Sequence, residues 1–245
     1  MSIAARFEVA LRDVHSPGPD VPELLPVRLS VACSQVLGVD GAGVSLAGRD
    51  GERIPLGASS DVAGCAERLQ FTAGEGPCAT AQEAREPVFA RMDDLRRRWS
   101  DFAELLVRET PYRGVVALPL QEAIAGLGAI NLYFRDEDAV PRLDVFEAMA
   151  VGDLVTTELS EAAVWSTWSP SRGPAWMHSP SAERRAAVWH ALGVVGLALG
   201  IEPPTALELL RATARATGST VDDVAADLLN GRLAAEALHT PATRD

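Results

Sequence analysis

The chain contains no lysine, so all 22 of its cationic side chains are arginine. That absence removes the P-loop lysine, Schiff-base formation and every other reaction that needs an ε-amine. It also fits a GC-rich coding bias. Cysteine is scarce: Cys33, Cys65 and Cys78 form an odd set without paired spacing, as expected of reduced thiols. The histidines, His15, His178, His190 and His239, are scattered. No H-x-x-x-H or Cys/His cluster exists to hold a metal. No uninterrupted apolar run approaches the roughly 20 residues of a membrane span. The start, Met1-Ser2-Ile3-Ala4-Ala5-Arg6-Phe7-Glu8, lacks the basic-then-apolar order of a secretory signal. The chain is therefore expected in the cytoplasm, with no membrane partner, no metal and no other cofactor.

What is present suits a soluble protein of more than one part. The 245 residues are long for one compact domain and comfortable for two unequal ones. A net charge of −12 argues against a broad electrostatic grip on nucleic acid. DNA is not expected as a partner, and any RNA contact has to be local. The chain shows no nucleophile elbow, no His-supported triad and no ligand set for a metal, so it is not expected to be an enzyme.

Hydrophobic spacing sets the order of elements. Phe7, Ala10, Leu11 and Val14 predict a first helix, and a break follows at Ser16-Pro17-Gly18-Pro19. Leu25, Leu29, Ala32, Cys33 and Val36 predict a second helix, closed by Gly38. Strands at 43–47 and 53–58 flank an Arg49-Asp50-Gly51 turn and read as a hairpin. Ser60 caps a helix to Leu69, a glycine-containing loop runs from Phe71 to Cys78, and Pro77 suits the first turn of another helix. Residues 87–92 are strand-like, 93–109 helical, and 114–120 and 127–134 form two stronger strands. A long helix over about Leu143–Trp165 carries Leu143, Phe146, Met149, Ala150, Leu154 and Ala162, a stripe that suits a dimer seam or a sheet cover. Residues 166–181 read as a linker. Beyond it, three helices are expected at about 182–199, 204–217 and 220–237, with Thr220 as a cap and Asp222 and Asp223 in the first turn. Their core is expected around Val188, Val195, Leu207, Leu210, Val224 and Leu228.

Particular residues sharpen this plan. The runs Gln70-Phe71-Thr72-Ala73-Gly74-Glu75-Gly76-Pro77-Cys78, Pro87-Val88, Val115 to Leu120 and Gly128-Ala129-Ile130-Asn131-Leu132-Tyr133 resemble GAF domains of actinobacterial regulators. The resemblance covers about residues 20–160. It implies a central antiparallel sheet flanked by helices, with a ligand pocket on one face. Gly74, Glu75, Gly76 and Cys78 are the candidate ligand-binding residues. Strands rich in Val, Leu, Ala and Ile predict apolar pocket walls, with backbone donors from the 74–78 loop for polar ligands. Cyclic nucleotides fit poorly, because GAF domains that take them carry a lysine-containing signature. Free methionine-sulfoxide reduction, which one GAF-like family performs with three cysteines, fits poorly because the cysteine spacing differs. For Cys78 the expectation is a small, half-buried loop residue, with a helix-start thiol as the sharper alternative.

The C-terminal part, over about 183–235, resembles an ANTAR domain. The matching residues are Arg185 and Val188-Trp189-His190-Ala191-Leu192-Gly193, then Ala206, Leu209-Leu210-Arg211 and Ala214, then Val224-Ala225-Ala226. His190 and Leu192 stand where the family has glutamine and lysine. From Pro180 onward six arginines face eight acids. The resemblance implies binding to an RNA hairpin, for which Arg185, His190, Arg211 and Arg215 are the candidates. The expected fold is α+β: a GAF-type antiparallel sheet flanked by helices, then a small all-α three-helix ANTAR module. The expected domains are 1–165 (sensor with its long helix), 166–181 (linker), 182–238 (three-helix module) and 239–245 (tail). The expected function is a signal-responsive, RNA-binding transcription antitermination regulator. It would act as a homodimer, with an unknown small molecule or protein as input. The alternative is a ligand-sensing or protein-interaction dimer whose ANTAR-like module no longer binds RNA.

Overall fold

Alternation along three central strands decides the architecture. In β1 (Gly41–Ala47) Ala42, Val44 and Leu46 point one way, in β4 (Gly114–Ala123) Val116, Leu118 and Leu120 do, and in β5 (Gly126–Phe134) Ile130, Leu132 and Phe134 do. The other face carries smaller, polar or aromatic residues: Gly43 and Ser45, Val115 and Ala117, Asn131 and Tyr133. Both faces are covered, so both rows are buried. The computed structural model describes residues 1–14, 21–47, 53–123, 126–165 and 173–238. With β2 (Arg53–Ala58) and β3 (Val88–Arg91) these strands form one five-stranded sheet in the order β2-β1-β5-β4-β3, antiparallel at every pairing. The hairpin expected at 43–58 is present as the β1–β2 pairing. Its turn at 49–51, the break at 16–19 and the tail at 239–245 lie outside the described residues.

The aliphatic face is covered by α1 (Ile3–Asp13), α2 (Leu25–Leu37) and α7 (Val145–Trp165). Helix α2 ends where expected, at Gly38 with φ +63°. Helix α7 buries Ala148, Val151, Val155, Leu159 and Ala163. The stripe read from the sequence is out of phase with this row. Phe146 is 84 % exposed, and Met149, Leu154 and Ala162 lie at the edge of the core. The helix is apolar on more than one side, so spacing alone does not identify the buried row.

The opposite face is covered by α3 (Asp61–Ala73), α4 (Pro77–Ala84), α5 (Met92–Arg98) and α6 (Ser100–Glu109). Ser60 caps α3 through its hydroxyl on the Ala63 N–H. Helix α3 runs past Leu69 to Ala73, so the expected 71–78 loop shrinks to residues 74–76. The single helix expected at 93–109 is broken at Trp99, whose φ of −143° leaves the helical region while its ring is buried.

Residues 173–179, expected as linker, are partly packed. A short 3-10 turn at Ala175–His178 buries Trp176 in the aliphatic core. Three helices follow: α8 (Pro180–Leu199), α9 (Pro203–Thr217) and α10 (Val221–Leu229). Thr220 caps α10 in a reciprocal pair with Asp223. Helix α10 is shorter than expected and is followed by a 3-10 turn at Ala235–Ala237. The core of these helices contains the expected Val188, Val195, Leu210, Val224 and Leu228, with Leu207 at its edge. It also contains Phe71, supplied by α3. The helical module is thus seated on the α/β part.

Candidate functional site

The residues from Gln70 to Cys78 build a joint between three helices. Gly74 ends α3 at φ +78°, a conformation that costs an L-residue with a side chain. A Cβ there would also press on the Arg211 guanidinium at 3.1 Å. Glu75 turns away from the sheet, and its Oε1 accepts from the backbone N–H of Asp101 and Phe102, at 2.9 and 3.4 Å, at the start of α6. Its charge there suits the positive end of that helix. Gly76 leaves room for the Gln70 side chain, whose Oε1 accepts from the Cys78 N–H at 3.1 Å. Pro77 opens α4.

Beneath this joint the sheet face is polar, not apolar as its strand composition predicts. Glu67 Oε1 accepts from the Tyr133 hydroxyl at 2.6 Å and from Asn131 Nδ2 at 2.8 Å. Gln70 Nε2 donates to the Tyr133 hydroxyl, and Ser45 Oγ meets Cys78 Sγ at 3.3 Å. All six side chains are buried, so they fill the space where a pocket was expected. Cys78 is a fully buried residue in the first turn of α4, and burial raises its thiol pKa despite the helix start. It is neither the half-buried loop residue nor the activated thiol considered above.

Burial likewise pushes the Glu67 carboxyl up, against the opposing pull of Arg53, Tyr133 and Asn131. The native state therefore holds this proton more tightly than the unfolded chain. Its contribution to stability is complete below the ordinary carboxylate range and is lost as pH rises through the raised native pKa. Glu67→Gln removes that titration. As pH rises above the ordinary carboxylate range, urea midpoints are expected to fall for the wild type relative to Glu67→Gln. A difference that does not change with pH contradicts this assignment.

The four candidate RNA contacts fall into two groups. Three of them converge on the α/β part. Arg185 is 1 % exposed, with Nε and Nη2 on the two carboxylate oxygens of Asp222 at 3.0 and 3.1 Å and Nη1 on the Arg53 carbonyl at 2.8 Å. Its guanidinium lies 3.7 Å over the Phe71 ring. Burial lowers its pKa, and Asp222 opposes that shift. Arg211 Nε donates to the Phe71 carbonyl at 3.3 Å, and its Nη1 meets Glu208 at 2.8 Å. Arg215 reaches Asp101 on α6 at 3.4 Å. His190 is exposed and apart from this group. The Val221 N–H, at the start of α10, closes the contact by donating to Thr72 Oγ1 at 3.1 Å.

Sequence reasoning missed Phe71, Arg53 and Glu67 as site residues, and it read Asp222 only as a helix-start acid. Phe71 carried one usable signal: an aromatic just before a helix-ending glycine has to be buried against something. The arrangement can clamp two parts of the chain together. Of the candidate ligand residues, Gly74 and Glu75 line a cleft shared with Arg211, whereas Gly76 and Cys78 pack inward.

No protein-family model and no curated protein matches the chain. Among solved structures it is similar to the GAF domain of a phosphoenolpyruvate-protein phosphotransferase from Coxiella burnetii. The identity is 18 %, the match covers 66 % of this chain and 98 % of that one, and the TM-score is 0.43. The GAF domain of the Acinetobacter phosphoenolpyruvate-protein phosphotransferase is similar at 9 % identity, over 69 % of this chain and 100 % of that one, with a TM-score of 0.43.

Proposed function

We propose that the chain is a signal-responsive, non-enzymatic regulator with a GAF-type α/β part as input and an ANTAR-type helical module as output. The output is hairpin-RNA binding in transcription antitermination, by a cytoplasmic homodimer. One observation carries the coupling of input to output: Arg185, Arg211 and Arg215 share the face of the module that is docked on β2, α3 and α6. RNA and the α/β part then compete for the same arginines, and the docked form is the silent one. Planar guanidiniums suit both tasks, stacking on a ring and gripping carboxylate or phosphate.

The acidic balance of the module and the burial of Arg185 with Asp222 favour a second reading, in which the module only contacts protein. Filter binding of the full chain to a pool of short hairpin RNAs separates the two. The RNA reading expects binding with a shallow salt slope, about two to four phosphate contacts per protomer at about −0.7 each. It also expects weaker binding by Arg211→Ala/Arg215→Ala with the fold retained. If the double variant binds as tightly as wild type, or if neither it, wild type nor an undocked variant binds RNA, the protein-contact reading replaces it.

A further inference from the structure

With the sheet face filled by its own side chains, two of the open spaces among the described residues lie between the two parts of the chain. One of these spaces, of about 490 Å3, opens between the α3–α4 joint and helices α8 and α9. Small-molecule sites commonly measure about 300–1,000 Å3. Its floor is apolar. Phe71 meets Trp189 edge to face with ring centroids 6.0 Å apart, and Leu192, Leu207, Pro203 and Pro204 complete the wall.

The lining carries two guanidiniums and two carboxylates. Arg53 and Arg211 line the cleft. Glu67 feels the Arg53 charge from the buried sheet face, and the other acids nearby are committed or peripheral. Glu75 is turned onto the α6 backbone, Glu208 lies on Arg211 outside the lining, and Glu83 is exposed at the rim. An aromatic wall beside the guanidiniums of Arg53 and Arg211 suits an apolar ring that carries a carboxylate.

We infer that this cleft binds an aromatic carboxylate, its ring on Phe71, Trp189, Leu192 and Leu207 and its carboxylate on Arg53 and Arg211. Phe71 and Arg53 belong to the α/β part, whereas Trp189, Leu192 and Arg211 belong to the helical module. The ligand therefore spans both and stabilises the docked form by mass action. Its role as the input signal rests on the function proposed above; its binding does not.

Titration calorimetry of the full chain with naphthoate and its neutral amide, naphthamide, tests the site. One naphthoate is expected per chain, and naphthamide is expected to bind at least about tenfold weaker, because it cannot form the charge-assisted pair. Arg53→Gln and Arg211→Gln are each expected to weaken naphthoate about tenfold. Leu207→Trp fills the floor, leaves both arginines in place and abolishes binding; thermal melts check that each variant is folded. Equal affinity for acid and amide, no naphthoate binding at millimolar concentration, or full affinity in folded Arg53→Gln or Leu207→Trp overturns the site. Hydrogen exchange then separates site from signal. Slower exchange in α8 and α9 with naphthoate supports the clamp. Binding without slowing overturns the clamp and the input role, while the site itself stands.

Discussion

Replacing Phe71 by alanine is expected to release α8–α10 from the α/β part while leaving the five-stranded sheet intact. The ring is buried in the core of the helical module although it stands on α3, and it lies against both Arg185 and Arg211. Removing a buried phenyl ring costs about 3–5 kcal/mol in lost transfer and cavity formation. Here that cost falls on one contact between parts, because the cores on the two sheet faces include no part of the ring. Amide exchange is expected to speed up in α8 and α9, and at the Val221 N–H once Thr72 moves away, with β1, β4 and β5 unchanged. Uniform acceleration across the sheet would mean that Phe71 supports the whole fold and not the docking contact.

Asp222→Ala is expected to be as damaging, for a different reason. It leaves the Arg185 guanidinium buried beneath Phe71 without its carboxylate. Breaking a buried pair by removing one partner costs about 3–5 kcal/mol, whereas replacing both partners with apolar residues of similar volume is often close to neutral. The Arg185→Met/Asp222→Leu double variant is therefore expected to recover most of the stability that Asp222→Ala loses, read as urea midpoints. If the double variant is less stable than Asp222→Ala, the pair is worth more than its desolvation costs.

The parts of the fold that were legible in the sequence were those written in local chemistry. Gly38 ends a helix, Ser60 and Thr220 begin helices, and the β1, β4 and β5 strands stand out by their branched and aliphatic residues. Trp99 was not legible as a break, because apolar residues keep a helical period on both sides of it. The polar sheet face was hidden by strand composition: β5 reads as apolar until Asn131 and Tyr133 are seen to share a face opposite Ile130 and Leu132. Least legible was the role of the arginines. Arg185 and Asp222 are 37 positions apart, and no periodicity links them. A helix face that suits RNA by charge suits a carboxylate and a phenyl ring equally well. Only the tertiary arrangement distinguishes an exposed arginine from one already used.

On the proposed function, the docked face of the helical module is also its RNA face. Filter binding of hairpin RNAs to wild type and Phe71→Ala, side by side at low salt, tests it most directly. Releasing the module is predicted to strengthen binding at least about tenfold, equivalent to about 1.4 kcal/mol. Adding Arg211→Ala/Arg215→Ala to the released chain is predicted to abolish the gain. Equal RNA binding by wild type and Phe71→Ala, or none by either, would overturn the proposed RNA role of this face.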